Sequence, residues 1–476
     1  MASRNRFLPV LSAFICLISS LSNLHASVIS IPKDYPTIQQ GIDAAYRGDT
    51  VMVAQGVYFE RPLIQKRIVL ASRYIISGDR NDIDKTIIDG GGEHEVTIWI
   101  KSGGIGSKII GLKVTHGLDG IKVQASNTTI ADNHITENGD GIDYSAVSGG
   151  ICARNLIENS VAEAIDIDDQ CSIIIEDNIM RYNRADGVEI QLQNYTGTTI
   201  NYIIRRNIIH NNLHDGIQLV ENPGISNRSF LIEHNLIYKN GTAGIGMMAW
   251  GNLFEKYEIA AIKDPVQIFN NTIASNSYGV VGGDNVLTIN NIIIDHKTVG
   301  MRHVYGNSMA AYNLMSGNPY DFDYCKYDSK TTFHDAPDLD DNFRYRGSGP
   351  GVNQATDLFV WKGRTVLQIP QNQYSGIAPD MGAYEYKEPD PPHDPGVLHV
   401  PGDFVTLQEA LNKSVDEDTI LVAPGEYIGE MRIRKNIILA SQFFSSNDSS
   451  LIEQTIIDGD GGPAIVVDAA ASGAKI

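Results

Sequence analysis

Short segments of alternating hydrophobic and polar residues recur through the middle of the chain, from about Gly117 to Gly251. They read LDGIKVQ, GDGIDYS, AEAIDID, ADGVEIQ, HDGIQLV and AGIGMMA, and they return every 21–29 residues. Alternation over such short segments is typical of half-buried β-strands, and a repeat of this length is typical of a solenoid. The pattern therefore predicts the stacked coils of a parallel β-helix.

Aligning the segments on their Gly-Ile or equivalent pair separates inward from outward positions, because successive side chains in a strand point to opposite faces. The inward positions are Ile121, Ile142, Ile165, Val188, Ile217 and Ile245, followed by Val123, Tyr144, Ile167, Ile190, Leu219 and Met247. One outward column contains Lys122, Asp143, Asp166, Glu189 and Gln218, and a second contains Gln124, Ser145, Asp168 and Gln191. The alignment predicts that each column lies on adjacent strands.

An asparagine precedes most of these segments at a constant place in the repeat. The column contains Asn133, Asn155, Asn178, Asn207, Asn235, Asn271 and Asn291. Asparagine tolerates the left-handed backbone conformation, and stacked amides hydrogen-bond to one another. We predict an asparagine ladder at a tight turn, with these residues in the left-handed region.

The region before the coils predicts a helical cap. Thr37 can cap a short helix that places Ile38, Ile42 and Ala45 on one face. The same passage returns near the C-terminus at a constant offset of 369 residues, as VPGDFVTLQEALNKSVDEDTILVAPGEYIGE. We predict a β-helix domain over 27–387, a Pro-rich linker over 388–396 and the start of a second, incomplete β-helix module over 397–476.

The N-terminus has the pattern of a signal peptide over 1–26. Arg4 and Arg6 precede the apolar run 7–21, and a small residue stands before Ser27. The protein is expected to be secreted, periplasmic or at the cell surface. Three cysteines remain after cleavage and do not make a disulfide framework: Cys152, Cys171 and Cys325.

The cap phrase TIQxxIDAAxxGDTVxVAxGVY and the NxIxxN…GI coils resemble the pectin-lyase-like right-handed parallel β-helix family. The resemblance covers about 31–387 and again 400 onward, and 341–386 is similar to the closing segment of bacterial members. It implies an all-β, right-handed parallel β-helix with a short N-terminal capping helix and the start of a second module. The family includes lyases, hydrolases, epimerases, esterases and adhesins, so the fold alone does not choose a function.

The net charge of the protein limits the classes of molecule that it can bind. The formal net charge is −20, from 57 acidic and 37 basic residues, and a nucleic-acid partner would require a basic face. An acidic polysaccharide remains compatible if a divalent cation bridges it to the protein. No segment after the N-terminus is apolar and long enough for a membrane span. We expect a monomer.

The outward columns carry the candidate chemistry. Neighbouring strands lie about 4.8 Å apart, which brings Asp143, Asp166 and Glu189 into consecutive contact, with Asp168 beside them. Such carboxylates can extend into solvent as an acidic stripe, retain a proton or bind a cation. Oxygen ligands of this kind suit Ca²⁺.

Bound calcium would match β-elimination on a uronic-acid polymer, because the metal would acidify the C5 proton that a base removes. Similar lyases of the family use Asp-lined calcium sites with Lys or Arg as the base, and Lys122 heads the column here. The candidate substrate-binding residues lie in or near these columns: Gln191, Gln218, His214 and Trp250.

Two alternatives stay open. NGDGID (138–143) resembles the NTDGID phrase of polygalacturonases, which would make Asp140 the acid of a hydrolase, and His214-Asp215-Gly216 resembles their Gly-His-Gly phrase. The Asp-Asp pair and the Arg-Ile-Lys phrase of that family are missing. The other alternative is a carbohydrate-binding or cell-surface β-helix without catalysis. The column Asp140, Glu163, Asp186 and Asp215 is interpreted as hydrogen-bonding to its own turn backbone.

Overall fold

The computed structural model describes residues 26–476 except 93, 146, 169, 223–225, 252–255, 261, 387–394, 460–461, 469–470 and 472. These residues form two compact units that divide between Tyr386 and Lys387. Apart from Ala26, the predicted signal peptide lies outside the described residues. The same is true of the predicted linker, apart from its last two residues.

Within the described part of the first unit, each coil adds one strand to each of three parallel sheets. Sheet A contains Val28–Ile31, Thr50–Val53, Val69–Ser72, Lys108–Ile110, Thr128–Ala131, Ser148–Ala153, Ser172–Glu176, Ile200–Arg205, Arg228–Glu233, Val266–Phe269, Val286–Ile289 and Met309–Ala311. Sheet B contains Gly56–Tyr58, Thr86–Asp89, Lys113–Thr115, His134–Thr136, Leu156–Glu158, Ile179–Arg181, Ile208–His210, Leu236–Tyr238, Thr272–Ala274, Ile292–Ile294, Asn313–Ser316 and Thr332–Phe333. Sheet C contains Leu63–Ile64, Ile98–Ile100, Asp119–Val123, Asp140–Ser145, Ile165–Asp168, Val188–Gln191, Ile217–Val220, Ala243–Met248, Tyr278–Val281, Val299–Arg302 and Phe322–Asp323. The predicted all-β, right-handed parallel β-helix is confirmed.

The interior of the helix is a continuous apolar core built from the inward columns. Ile121, Ile142 and Ile165 are register partners on consecutive strands and are fully buried. The same holds for the inward positions of the following coils. The predicted separation of inward and outward residues is confirmed, and burial of these columns is the main contribution to stability.

The asparagine ladder forms at the turn between sheets A and B. Asn178 Nδ2 donates to Asn207 Oδ1 at 3.0 Å and to the Cys152 carbonyl at 2.8 Å, and the pattern repeats from Asn133 to Asn313. The predicted conformation of the asparagines is wrong. The left-handed residue is the one before each asparagine, such as Asp177 with φ 57°, because the turn bends there and leaves the asparagine side chain pointing along the stack.

A second asparagine ladder, not predicted from the sequence, follows sheet B. Asn183 Nδ2 donates to Asn212 at 2.8 Å, Asn212 to Asn240 at 3.0 Å and Asn240 to Asn276 at 3.2 Å. This ladder leads directly into the strands of sheet C. It therefore fixes the position at which each outward carboxylate enters that sheet.

The helical cap forms as predicted over Ile38–Ala44, with Ile38 and Ile42 buried. The Thr37 side chain accepts a hydrogen bond from the Gln40 N–H at 3.2 Å. The other helices of the described first unit are short: Tyr74–Ser77, Asn81–Asp84, and the 3₁₀ turns Ser102–Gly104 and Gln371–Gln373.

The segment after the last coil packs back onto the sheets. It contains the antiparallel pair Leu358–Trp361 and Arg364–Gln368. Asn290 exchanges two hydrogen bonds with the backbone of Thr356, at 2.8 and 3.0 Å. The Ala383 N–H donates to the Thr272 hydroxyl at 3.0 Å. These contacts anchor the closing segment to turns of the helix.

The second unit repeats the first coils of the first unit at the predicted offset. Its strands are Val397–Val400, Thr419–Val422, Gly425–Ile428, Met431–Ile433, Ile438–Ser441, Thr455–Asp458 and Ile465–Val467, and its helices are Leu407–Lys413, Phe443–Ser446 and Ser450–Glu453. Local contacts are duplicated as well: Thr406 caps its helix as Thr37 does, from the Glu409 N–H at 3.2 Å. Asp49 and Asp418 each accept two backbone hydrogen bonds from equivalent positions.

Cys152 and Cys171 are buried, and Cys325 is half-buried. Burial raises the pKa of the Cys152 thiol to about 12, so it is an unreactive core residue. No helix among the described residues is long and apolar enough to cross a membrane.

Candidate functional site

The outward face of sheet C carries a row of polar residues in strict register. Lys122 pairs with Asp143, Asp143 with Asp166, Asp166 with Glu189 and Glu189 with Gln218. Asp168 is the partner of Ser145 in the neighbouring row. The structure thus brings together the residues that the sequence alignment placed in these columns.

The column that precedes each strand contributes further carboxylates to this face. Oxygen atoms of Glu163, Asp186 and Glu189 all lie within 4.8 Å of one another. We use the name acidic cluster for the following six residues: Asp140, Glu163, Asp166, Asp168, Asp186 and Glu189. The sequence interpretation assigned the preceding column to turns only, so it missed Glu163 and Asp186 as members of the site.

Two carboxylates of the preceding column bond backbone of the next coil. Asp140 Oδ1 accepts from the Glu163 N–H at 3.2 Å, and Asp186 Oδ1 accepts from the Asp215 N–H at 2.6 Å. The sequence interpretation assigned these bonds to each residue's own turn, whereas Asp140 and Asp186 reach the backbone of the following coil. Because Asp140 and Asp186 each bind the next coil, they are held against sheet C beside the outward row.

A column of small residues makes this close approach possible. A Cβ atom on Gly187 would lie 2.4 Å from Ile209 Cγ2 and 2.5 Å from the Gly216 carbonyl oxygen. Gly141 and Gly216 are equally constrained. These three glycines therefore leave no room for a larger residue, and the chain bends at this column, at Ala164 as at Gly187.

Asp166 is a strongly perturbed carboxylate of the cluster. Burial, followed by the charges of Asp168 and Glu189, raises the pKa of Asp166 to about 9. Its Oδ1 atom is buried and has no hydrogen-bond partner among the described residues. An unpaired buried oxygen of this kind costs about 1–3 kcal/mol. Asp166 therefore carries a proton at neutral pH or needs a cation.

Asp140 and Glu163 form a carboxyl pair next to Asp166. Burial raises the pKa of both, and the hydrogen bond that protonated Glu163 donates to Asp140, together with the charge of Glu189, helps to raise the pKa of Glu163 to about 8. Like charges held this close cannot both ionise easily in a shielded environment. The pair therefore holds a proton at neutral pH.

Lys122 occupies the cluster's N-terminal side. Its Nζ contacts Asp143 Oδ2 and lies 3.2 Å from Asp119 Oδ2. Burial opposes the charged ammonium, but hydrogen bonding and attraction to Asp143 and Asp119 outweigh it and raise the pKa of Lys122. Asp143 Oδ1 accepts from the Ser145 hydroxyl at 2.6 Å. Both carboxylate oxygens of Asp143 thus have partners, whereas Asp166 Oδ1 has none among the described residues.

The four predicted substrate-binding residues have different settings. Gln191 is exposed and donates to Glu189 at 2.8 Å. His214 is exposed, and Trp250 is 63% exposed. Gln218 is only 2% exposed and its amide lies 3.4 Å from Asp215, so it is not presented to solvent.

Asp215 closes the row of carboxylates. It is fully buried, and the Tyr257 hydroxyl lies 2.8 and 3.0 Å from its two oxygens. Its Oδ1 also accepts from the Ala243 N–H at 2.7 Å. Tyr257, from the long insertion after Trp250, therefore covers Asp215. Asp215 is thus shielded from solvent and does not extend the exposed face of the acidic cluster.

An open groove of about 610 Å³ follows the C-terminal ends of the strands that carry the cluster. It is lined by Val147, Ser148, Gln170, Ser172, Tyr195, Thr198, Thr199 and Ile200. Four of these come from the stretch 194–201, an insertion in the repeat. Hydroxyl, amide and aromatic side chains of this kind suit a sugar.

The cluster passes a geometric test for a hard divalent cation. Calcium binds oxygen at about 2.3–2.6 Å, so two of its ligands lie at most about 5 Å apart, and Glu163, Asp186 and Glu189 meet that limit. The unpartnered Asp166 Oδ1 supplies a further acceptor on the same face. The residues present fit Ca²⁺.

The fold agrees with comparisons to known proteins. A family model described as "Right handed beta helix region" matches residues 74–224. A pectate lyase structure, Pel9A, matches with a TM-score of 0.52 and 14% identity over 73% of this chain and 90% of that one. The chain has the pectin-lyase-like right-handed parallel β-helix fold.

Other solved β-helices match at lower similarity. The A-module of the Azotobacter vinelandii mannuronan C-5 epimerase AlgE6 has a TM-score of 0.44 and 16% identity, over 63% of this β-helix chain and 94% of that chain. The PL6 family alginate lyase AlyGC has a TM-score of 0.35 and 13% identity, over 88% and 67%. No curated protein matches the chain.

Proposed function

We propose that this β-helix is a secreted, calcium-assisted polysaccharide lyase that cleaves an acidic, uronic-acid glycan by β-elimination. The observation that carries the proposal is Asp166. Its oxygen is buried without a partner among several carboxylates, on the outer face of a parallel sheet beside an open groove. A carboxylate held this way is poorly stabilised alone and well stabilised by a cation.

The cation would be held by Asp166, Asp168 and Glu189, with Glu163 and Asp186 supplying oxygens from the preceding column. When bound, calcium would neutralise the glycan's carboxylate and acidify the proton at C5. Asp143 has a different role, because its oxygens are engaged by Lys122 and Ser145. It keeps Lys122 at the edge of the cluster.

Lys122 is the proposed base. In β-elimination the base takes the C5 proton, a double bond forms between C4 and C5, and the glycosidic oxygen leaves from C4. Only a neutral amine can accept this proton, and the ion pairs with Asp119 and Asp143 favour the charged form. The rate should therefore rise with pH as the neutral fraction of Lys122 increases.

The bound glycan should lie across the exposed end of the cluster. Gln191, His214 and Trp250 are exposed around it and can contact sugar hydroxyls or rings. The neutral groove beyond the strands offers further hydrogen bonds through Gln170 and Thr199. Gln218 is buried beneath this surface, where its amide contacts Asp215, so it would not touch the sugar.

One observation favours hydrolysis as a second candidate. Glu163 is kept protonated by burial and by Asp140, with a pKa of about 8, and a general acid of a glycosidase needs such a group. Its partner would be an ionised carboxylate of the cluster. The two reactions differ in products, since only elimination generates an unsaturated sugar.

The test is incubation of the purified chain with polygalacturonate, alginate and glycosaminoglycans, each with added calcium or with a chelator. The proposal predicts ultraviolet-absorbing unsaturated products from at least one polymer with calcium and none with chelator. New reducing ends without ultraviolet absorbance would support hydrolysis instead. Binding without any cleavage across the panel would make the protein a carbohydrate-binding β-helix and overturn the proposal.

A further inference from the structure

A second, smaller cavity of about 160 Å³ opens on sheet C beyond the acidic cluster. It is lined by Thr242, Tyr257, Glu258, Tyr278, Val281, Arg302 and His303. Arg302 belongs to the same outward row as Glu189, four strands further along. At one strand spacing per coil, the separation along the helix axis is about 19 Å. A short oligosaccharide along the row could reach both places.

Three of the lining residues have buried polar atoms without a hydrogen-bond partner in the described part of the chain. They are Thr242 Oγ1, Arg302 Nε and His303 Nε2. Arg302 Nε lies 2.9 Å from Asp323 Oδ2 as an ion pair, but without the geometry of a hydrogen bond. Unmet polar atoms that line a cavity are costly in the free protein, and a ligand that pairs with them recovers that cost.

The chemistry of these atoms selects the ligand. An arginine N–H can only donate, and the threonine hydroxyl and the histidine ring can donate as well. The matching group is one with several acceptor oxygens, and a carboxylate accepts from arginine with the strongest geometry. Glu258 at the exposed rim and Asp323 balance the positive charge, so the placed donors, rather than a general positive field, would determine binding.

The aromatic walls point to a sugar as the carrier of that carboxylate. Tyr257 and Tyr278 meet edge to face with ring centroids 6.2 Å apart. His303 stacks on Tyr324 at 5.5 Å, and Tyr324 is 75% exposed. Rings that combine an apolar face with a polar edge are suited to pyranose rings.

We propose that this cavity, the Arg302 pocket, binds the carboxylate of a hexuronic acid residue. The inference rests on the proposed function in placing that residue in the same glycan chain that crosses the acidic cluster. The pocket would then make the protein selective for glycans whose uronic acids are not esterified, at a distance from the reacting bond. The Tyr257 hydroxyl, bonded to Asp215, connects the pocket wall to the carboxylate row.

The test is calorimetric titration of the full chain with tetramers of galacturonate, mannuronate and guluronate, in the presence of EDTA to keep the acidic cluster free of metal. The methyl esters of the same tetramers are the neutral probes. We expect at least one acid tetramer to bind, and its ester to bind about tenfold more weakly. Arg302→Gln should weaken binding of the acid by about tenfold or more, as expected for a lost charged hydrogen bond.

Thr242→Val is the second variant, because it leaves the Arg302–Asp323 ion pair intact; we expect about a fivefold loss. Arg346→Gln, at an exposed arginine that lies 3.7 Å from Asp338, is the matched control and should bind as the wild type. Failure of every acid tetramer to bind, equal binding of acid and ester, or wild-type binding by both Arg302→Gln and Thr242→Val would overturn the inference.

The two proposals fail separately. If the wild-type protein neither binds calcium nor catalyses elimination, but binds a tetramer in a way that depends on Arg302, the proposed function is wrong and the pocket remains. Calcium-dependent elimination, with tetramer binding unaffected by both Arg302→Gln and Thr242→Val, would keep the proposed function and remove the pocket.

Discussion

Asp166 and Glu189 are register partners on neighbouring parallel strands of sheet C, so their carboxylates lie side by side on the outer face. Asp168 and Glu163 adjoin them, and together these charges and burial raise the pKa of Asp166 to about 9. A protein gains nothing in stability from such an arrangement. Clusters that are unfavourable in the free protein are characteristic of sites that bind something.

Asp166→Asn should stabilise the protein in the absence of metal. The folded-state pKa of Asp166 lies above its ordinary value of 3.8, so the folded state holds a proton that the unfolded state releases, and stability falls as pH rises from about 4 to about 9. An asparagine at this position does not ionise, so the variant does not lose stability in this way as pH rises. Thermal unfolding in EDTA should show a midpoint about 1–4 °C higher than wild type at pH 8 and little difference at pH 4.

The matched control for this variant is Asp341→Asn, at an exposed aspartate of the closing segment. Its midpoint should equal that of the wild type at both pH values. A lower midpoint for Asp166→Asn at pH 8 would show that Asp166 is already stabilised in the metal-free protein.

Calcium binding should strengthen as pH rises. The groups that must lose protons are Asp166, with a pKa of about 9, and the Asp140–Glu163 pair, with Glu163 at about 8; Asp168, Glu189 and Lys122 are the charged groups that face them. A metal that needs ionised ligands competes with their protons. Affinity should rise between pH 6 and pH 9, by up to about tenfold per pH unit for each proton released. Titrations in buffers of different ionisation enthalpy measure that release, and an affinity independent of pH would contradict it.

Lys122→Gln should abolish elimination and also weaken the fold. Asp119 and Asp143 are 4% and 6% exposed, and removal of their cation leaves two poorly solvated carboxylates, at a cost of about 1–3 kcal/mol. A merely structural lysine would give the same stability loss, so the pH profile of kcat separates the roles. In the wild type, kcat should rise into the alkaline range. Lys113→Gln, on sheet B, is the control and should keep full activity; appreciable elimination by Lys122→Gln would exclude Lys122 as the base.

Asn178→Ala should destabilise the first unit by about 2–4 kcal/mol. The Asn178 side chain donates to Cys152, Glu176 and Asn207 and accepts from the Asn155 backbone and amide, all at 2.8–3.0 Å. Its removal leaves buried groups on two coils without partners. Equilibrium unfolding in urea measures the loss, and Asn372→Ala, at an exposed asparagine, should leave stability unchanged. An equal effect of the two changes would show that the ladder contributes little.

Register was the part of the fold that could be predicted from the sequence in most detail. A period of two along each strand and one strand per coil leave a single alignment that buries every Ile or Val, so Asp143, Asp166 and Glu189 could be placed in one row without coordinates. The duplicated cap could be found in the same way, because the offset of 369 residues has no gap up to Asp458.

The site was harder to predict, because it depends on three-dimensional turns. Glu163 and Asp186 stand three residues before Asp166 and Glu189, and strand alternation places such residues on opposite faces. The bend at Ala164 and Gly187 brings them together instead. The small residue that follows each of these carboxylates, Ala164 or Gly187, was the feature of the sequence that could have indicated the bend. The pairing of Lys122 with Asp119, and the cover that Tyr257 places over Asp215, depend on side-chain conformations and on a long insertion, which periodicity does not determine.

The most direct test of cation binding at the acidic cluster is a calorimetric titration of the metal-stripped full chain with calcium at pH 8. Wild type, Asp166→Asn and Asp341→Asn are measured side by side. Cation binding at the acidic cluster predicts a saturable site in the wild type and in Asp341→Asn, and binding at least about tenfold weaker in Asp166→Asn. No saturable binding by the wild type, or equal affinity of wild type and Asp166→Asn, would contradict it.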